Sequence, residues 1–193
     1  MLVTAGSTHD GEEEMLAGVF LDLKKEFPGV ALLLAPRHPE RVPQIEERLS
    51  GLGIEYNVRS RLPANSVKYR PVIILDTLGE LVKYYSISDV VFVGKSLEHK
   101  GGQNPIEPAV LSKPVLFGPH MENFKETAEL LLDQKGAVMI KGKRELADAI
   151  GQLLREDQER IAIGRRARRA IEGKSGALEI TLKKIEGVLN AAV

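Results

Sequence analysis

Val90-Val91-Phe92-Val93 runs without a break into Gly94-Lys95-Ser96-Leu97-Glu98-His99-Lys100-Gly101-Gly102-Gln103-Asn104-Pro105-Ile106-Glu107-Pro108. Four apolar residues in succession read as a strand covered on both faces, because a strand with one wet face alternates. The adjacent glycines Gly101 and Gly102 then permit a close approach of backbone to ligand. Asn104 is a favourable N-cap, and Pro105 fits the first turn of a helix. Strand, glycine-bearing loop and helix start together form the unit of a doubly wound α/β sheet, which binds ligands beyond the carboxyl ends of its strands. A helix opening here directs free N–H groups at an anion such as phosphate. Glu107, in its first turn, is placed to accept hydrogen bonds from a ribose diol. The same string also reads as a plain loop with a capped helix.

The alternation extends in both directions. Apolar runs recur at residues 2–5, 30–34, 54–58, 72–75, 115–117 and 137–140. Between them Leu16, Val19, Phe20 and Leu23 share one helical face, as do Val42, Ile45 and Leu49, and later Leu146, Ala149, Ile150 and Leu153. Residues 59–70 show no helical period. The pattern predicts an α/β, Rossmann-like doubly wound parallel sheet of about six or seven strands over residues 1–156. Residues 157–193 carry no strand signal. They read as two helical segments separated near residues 173–176, the second with an apolar stripe through Leu178, Leu182, Ile185 and Leu189 that needs a surface to dock on.

Composition excludes several function classes. Lys plus Arg equals Asp plus Glu at 27 each, so no global field points to nucleic acid or to an acidic partner. Trp is absent and aromatics are 5%, too few for base-stacking platforms on single-stranded nucleic acid. There is no cysteine, which removes disulfides and thiolate metal sites and suits a reducing, cytoplasmic setting. No apolar run reaches the roughly 20 residues that span a bilayer.

The post-strand loops hold all four histidines. In Pro36-Arg37-His38-Pro39-Glu40-Arg41, Arg37 offers a guanidinium fork for phosphate or carboxylate and His38 a further donor, or both are solvated charges opening a helix. In Ser7-Thr8-His9-Asp10-Gly11-Glu12-Glu13, Ser7 or Thr8 is a candidate cap. The acids complement the helix dipole, so Glu12 reads as structural, while His9 sits at the strand end. In Asp76-Thr77-Leu78-Gly79-Glu80-Leu81, Asp76 reads as a loop or cap residue and Gly79 permits a backbone edge close to a base. Phe117-Gly118-Pro119-His120 brings a strand-end histidine, and turn chemistry alone accounts for both of these last loops. Gly94-Lys95-Ser96 imitates the end of a phosphate-binding P-loop, but the glycine required five residues earlier is Asp89; for the second Gly-Lys-Ser, at Gly173, it is Arg168. No metal-ligand spacing and no Gly-x-Ser-x-Gly elbow occurs. Arg165, Arg166, Arg168 and Arg169 in the tail read as a solvated helix face or a contact for anionic lipid.

Taken in order, these strings resemble the C-terminal domain of bacterial 3-deoxy-D-manno-octulosonic acid (Kdo) transferases, two-domain glycosyltransferases of the GT-B type. The matching strings are Ala5 to His9 with Gly11-Glu12-Glu13, Ala35 to Arg41, Asp76 to Leu81, Val93-Gly94 with Ser96-Leu97, Gly101-Gly102 with Asn104 to Pro108, and Pro114 to Pro119. The resemblance is ordered from Val3 to about Ile140 and looser through the tail. It implies the donor half of an inverting transferase that moves Kdo from CMP-Kdo to a lipid A precursor in lipopolysaccharide synthesis, without a metal or other cofactor. By position, Arg37 would hold the CMP phosphate and Glu107 the ribose. Gly101, Gly102 and Asn104 would wrap the phosphate, and Gly79 and Glu80 would lie near the cytosine. His38, Lys95 and Ser96 join this set, with Ser7, Thr8, His9 and His120 at its margin.

The resemblance places the general base in the N-terminal half, so no catalytic residue is expected here and the chain alone should bind nucleotide without turnover. The chain opens almost directly in its first strand, as an excised domain or gene fragment would. The full enzyme would sit peripherally at the cytoplasmic face of the inner membrane. The last helix is expected to pack back, bridge to the N-terminal domain or dimerise. Two positions depart from the family: Lys95 stands where a second glycine is usual, and Gln103 where histidine is common. Lys95 reads as a partner for the sugar carboxylate or the phosphate, or as the mark of a shifted donor pose. The rival readings are another GT-B enzyme, such as a UDP-sugar epimerase, and a non-catalytic nucleotide- or partner-binding module.

Overall fold

The computed structural model describes residues 1–63 and 70–190, with side chains as far as residue 173. Among these residues seven strands and seven α-helices follow one another: β1 Leu2–Thr8, α1 Glu12–Glu26, β2 Ala31–Pro36, α2 Val42–Gly51, β3 Tyr56–Val58, β4 Val72–Ile74, α3 Leu81–Ile87, β5 Val90–Val93, α4 Ile106–Val110, β6 Val115–Phe117, α5 Lys125–Asp133, β7 Ala137–Met139, α6 Lys143–Arg155 and α7 Asp157–Asn190.

The strands form one sheet in the order β3-β4-β2-β1-β5-β6-β7. All of its pairings are parallel. Both faces are covered, which is why the central strands are unbroken apolar runs: Leu32, Leu33 and Leu34 on β2 and Val90 to Val93 on β5 are all buried. Each fully buried side chain of this size contributes about 1.5–3 kcal/mol. On one face Leu16, Phe20 and Leu23 of α1 pack with Ile150 and Leu153 of α6; on the other, Tyr85 and Phe117 meet Ala167 and Ile171 of α7.

From β1 the chain passes to β2, on to the edge strand β3 and back in to β4, then crosses to β5 on the other side. The reversal falls between β1 and β5, and the carboxyl ends of these two strands form the crevice in which such sheets bind ligands.

Three expectations need correction. β1 runs on through Ser7 and Thr8, so neither caps α1; the capping position is Gly11, at φ +84°. Ser7 is a bulge residue at φ +55°, and the pairing with β2 shifts register there. The Asn104 helix is only the five-residue α4, capped at Pro105, although Asn104 Oδ1 still accepts from the Ile106 amide at 3.0 Å. The tail is one helix rather than two, because a glycine near residue 173 costs about 1 kcal/mol but does not end a helix that is docked elsewhere. Its docked part is tight: a Cβ on Gly164 would lie 1.9 Å from the Ser112 carbonyl oxygen. The stripe through Leu178, Leu182, Ile185 and Leu189 lies beyond the residues whose side chains are described.

Candidate functional site

Glu12, the first residue of α1, organises the carboxyl edge of the sheet. Its side chain is fully buried. Oε2 accepts from the amides of His9 at 3.0 Å and Lys95 at 2.8 Å, while Oε1 accepts from Ser96 at 3.0 Å and Leu97 at 3.3 Å. Burial raises the Glu12 pKa, and the four N–H donors pull against that rise. One carboxylate therefore ties the end of β1 to the loop after β5.

The loop after β6 is locked to the same point. The buried Ser96 hydroxyl donates to the Val93 carbonyl at 2.6 Å and accepts from the Gly118 amide at 2.9 Å. A Cβ on Gly94 would lie 2.5 Å from the Ser7 carbonyl oxygen, and one on Gly118 only 2.0 Å from that of Ser96. These loops touch backbone to backbone. A second carboxylate supports β1: buried Glu13 accepts from the Thr8 hydroxyl at 2.9 Å and from Arg41 at 2.8 Å.

Against this platform lies a cavity of about 210 Å³, lined among others by Ser7, Arg37, Leu75, Thr77, Gly79 and Glu107. It draws on the ends of β1, β2 and β4 and on α4. The Arg37 amide donates to the Thr8 carbonyl at 3.0 Å, which fixes the end of β2 beside β1. Its exposed guanidinium has no partner among the described residues. Opposite, Glu107 receives one hydrogen bond, from Asn104 Nδ2 at 3.3 Å. Gly79 sits at φ +79° with open space where a Cβ would be.

The other sequence candidates fall elsewhere. Glu80 accepts from the Thr77 hydroxyl and pairs with Arg59 at 3.0 Å; the Thr77 bond above all, then Arg59, hold its carboxyl below the usual range. Gly101 and Gly102 adopt positive φ, as expected of a tight loop, but their amides donate to Glu122 at 2.7 Å and to the Lys95 carbonyl at 2.8 Å. Neither amide is left for a phosphate. The hydroxyls of Thr8 and Ser96 are likewise consumed inside the fold. His120 lies over Glu122, its ring nitrogen 3.4 Å from the carboxylate, and does not line the cavity.

Lys95 occupies the left-handed region at φ +56°, where glycine is at ease and a lysine is strained. His9, His38 and His99 form a cluster beside it, the His9 ring 5.6 Å from His38 and 5.9 Å from His99. Burial first, then the charges of Lys95, His38 and His99, hold His9 below the ordinary histidine value, against a raising bond with the Ser7 carbonyl. Sequence reasoning missed His99, the clamp made by Glu12, and Tyr85. The Tyr85 side chain is buried beneath Gly6, where burial and then the Glu107 charge push its phenol pKa up.

No protein-family model matches the chain. Among curated proteins it is 34% identical over 192 residues to the 3-deoxy-D-manno-octulosonic acid transferase of Haemophilus influenzae, covering 98% of this chain and 44% of that one. The Bordetella pertussis protein of the same name is 34% identical over 188 residues, covering 96% and 44%. Among solved structures, the C-terminal CMP-Kdo binding domain of WaaA from Acinetobacter baumannii superposes with a TM-score of 0.82 at 28% identity, covering 89% of each chain. The chain belongs with the C-terminal domains of the Kdo transferases. It spans less than half the length of these curated relatives, and its sheet and flanking helices are one half of the GT-B architecture. Lys95 thus stands in a Kdo transferase domain at a backbone position that itself favours glycine. Among the described residues no helix is long and apolar enough to cross a membrane, and no group of three or more His, Asp or Glu is arranged to hold a metal ion.

Proposed function

We propose that this Kdo transferase domain binds CMP-Kdo through the nucleotide and supplies the donor half of an inverting transfer to a lipid A precursor. The observation that carries the reading is the unpaired guanidinium of Arg37 and the carboxylate of Glu107 lining one cavity at the sheet's switch point. Arg37 grips the phosphate, Glu107 accepts from the ribose diol, and Gly79 lets the cytosine edge approach the backbone. Asn104 orients Glu107 through its 3.3 Å hydrogen bond. Ser96, Thr8, Gly101 and Gly102 shape the platform, and Glu80 holds the Gly79 turn through Arg59 and Thr77.

CMP is the leaving group, so this half accelerates transfer by stabilising the charge that develops on the departing phosphate. Arginine and backbone dipoles serve that purpose without a metal. The acceptor and the general base belong to the N-terminal half, and the chain alone binds nucleotide but does not turn over. The full enzyme works peripherally at the cytoplasmic face of the inner membrane. The far end of α7 bridges to the N-terminal half or, without it, pairs with a second copy.

Base selectivity tests the reading. Calorimetry without added metal should give CMP binding at least about tenfold tighter than UMP or AMP, a difference of about 1.4 kcal/mol. A preference for UMP or AMP would overturn it.

A further inference from the structure

The cavity accounts for a nucleotide, but the domain carries a second set of basic groups next to it. His9, His38, His99 and Lys95 come from three different post-strand loops, and none lines the cavity. The two sets adjoin, since His38 follows Arg37 in the chain and His9 Nδ1 meets the carbonyl of the cavity residue Ser7 at 3.2 Å.

Each ring is held by one nitrogen and leaves the other unused. His9 is held by Ser7, His38 Nδ1 lies 3.2 Å from Glu40, and His99 Nε2 bonds the Asp10 carbonyl at 3.0 Å. His9 Nε2, His38 Nε2, His99 Nδ1 and the Lys95 ammonium have no partner among the described residues. Two of the nearby acids, Glu12 and Asp10, are engaged by backbone amides and by arginines outside the cluster. Glu12 is consumed by four amides, and Asp10 pairs with Arg41 at 3.0 Å and Arg48 at 2.9 Å. Glu40 faces His38 alone, and Glu98 lies against Gly11. The backbone accepts strain at Lys95 to place an ammonium at this point.

We propose that His9, His38, His99 and Lys95 form a carboxylate site for the acid group of the donor sugar, beside the cavity that takes the nucleotide. The proposal rests on the nucleotide-sugar reading given above. In a 2-ulosonic acid the carboxylate hangs on the same anomeric carbon that bears the phosphate ester, so the two anions lie only a few ångströms apart. Two adjoining basic clusters match that pairing, and a neutral hexose on a nucleoside diphosphate has no group to satisfy the second. The Lys95 ammonium donates to a carboxylate directly, and each imidazole does so once its second nitrogen takes up a proton; such charge-assisted bonds discriminate strongly against an uncharged isostere.

The test is a calorimetric titration of the protein with CMP, with a hydrolysis-resistant phosphonate analogue of CMP-Kdo, and with the C1 methyl ester of that analogue. The acid should bind at least about fivefold tighter than the ester, as loss of a charge-assisted hydrogen bond implies. In Lys95→Gly and in His99→Ala, an exposed position, this acid-to-ester ratio should fall toward one. Equal affinity for acid and ester in the parent protein, with CMP still bound, would overturn the carboxylate site and leave the nucleotide reading standing. A ratio unchanged in both variants would also overturn it, because the carboxylate then lies elsewhere. No binding of CMP or of either analogue would overturn both.

Discussion

The carboxylate of Glu12 and the amide of Ser96 are joined by a 3.0 Å hydrogen bond across 84 residues of sequence. With the bonds to His9, Lys95 and Leu97, it makes a single side chain the clamp between the first strand and the loop on which half the site stands. Glu12→Ala strands four N–H groups, that of Ser96 buried and the others partly so, and should cost about 3–5 kcal/mol, while Glu12→Gln, which keeps one carbonyl oxygen, should cost about half as much. Urea unfolding followed by circular dichroism measures both. Losses under about 1 kcal/mol for the alanine variant would show that the clamp does not hold the fold.

Lys95 should be replaceable with a gain. Its left-handed backbone costs a side-chain residue about 1–2 kcal/mol, and glycine gives back about 0.5–1 kcal/mol through its freer unfolded chain. Lys95→Gly should therefore raise the urea midpoint modestly, by about 0.5 kcal/mol of stability, whereas Lys95→Ala should not.

Gly118 permits no side chain. Its Cβ would sit 2.0 Å from a backbone oxygen that the Ser96 network fixes in place, so Gly118→Ala should lose about 3 kcal/mol or more. Gly29→Ala, with nothing within 4 Å, is the matched control and should stay within about 0.5 kcal/mol of the parent. Thermal melts of the two variants read the contrast.

His9 gives the stability a pH dependence of known sign. Its folded pKa lies below its ordinary 6.5, so the unfolded chain binds the extra proton first. The contribution is whole above about 6.5 and is lost as pH falls from there through the lower folded value. Between about pH 8 and 5.5, the parent should lose more stability than His9→Gln, and equal losses would remove His9 from the account.

The seven strands were legible because a parallel strand buried on both faces is a continuous apolar run, and Val90 to Val93 on β5 admits no other period. The end of β1 was not, since Ser7 and Thr8 look like caps and their strand conformation depends on pairing with β2 across a bulge. Arg37 was visible as a strand-end charge and Glu107 as a helix-start acid, but only the topology brings residues seventy apart to one cavity. Glu12 read as a helix-start acid for the same reason: three of its four partners lie more than eighty residues away. Gly101 and Gly102 were recognised as a tight loop, yet the consumption of their amides by Glu122 and Lys95 is a tertiary fact with no local signal.

In the proposed function Arg37 and Glu107 hold a cytidine monophosphate between them. The most direct test of this is calorimetric titration with CMP of the parent protein, Arg37→Ala and Glu107→Ala. Both side chains are supports of no other element, so the variants should fold as the parent does. Each should weaken CMP binding at least about tenfold, as removing a charge-assisted contact implies. Affinity unchanged in both variants would place the nucleotide somewhere else and contradict the account.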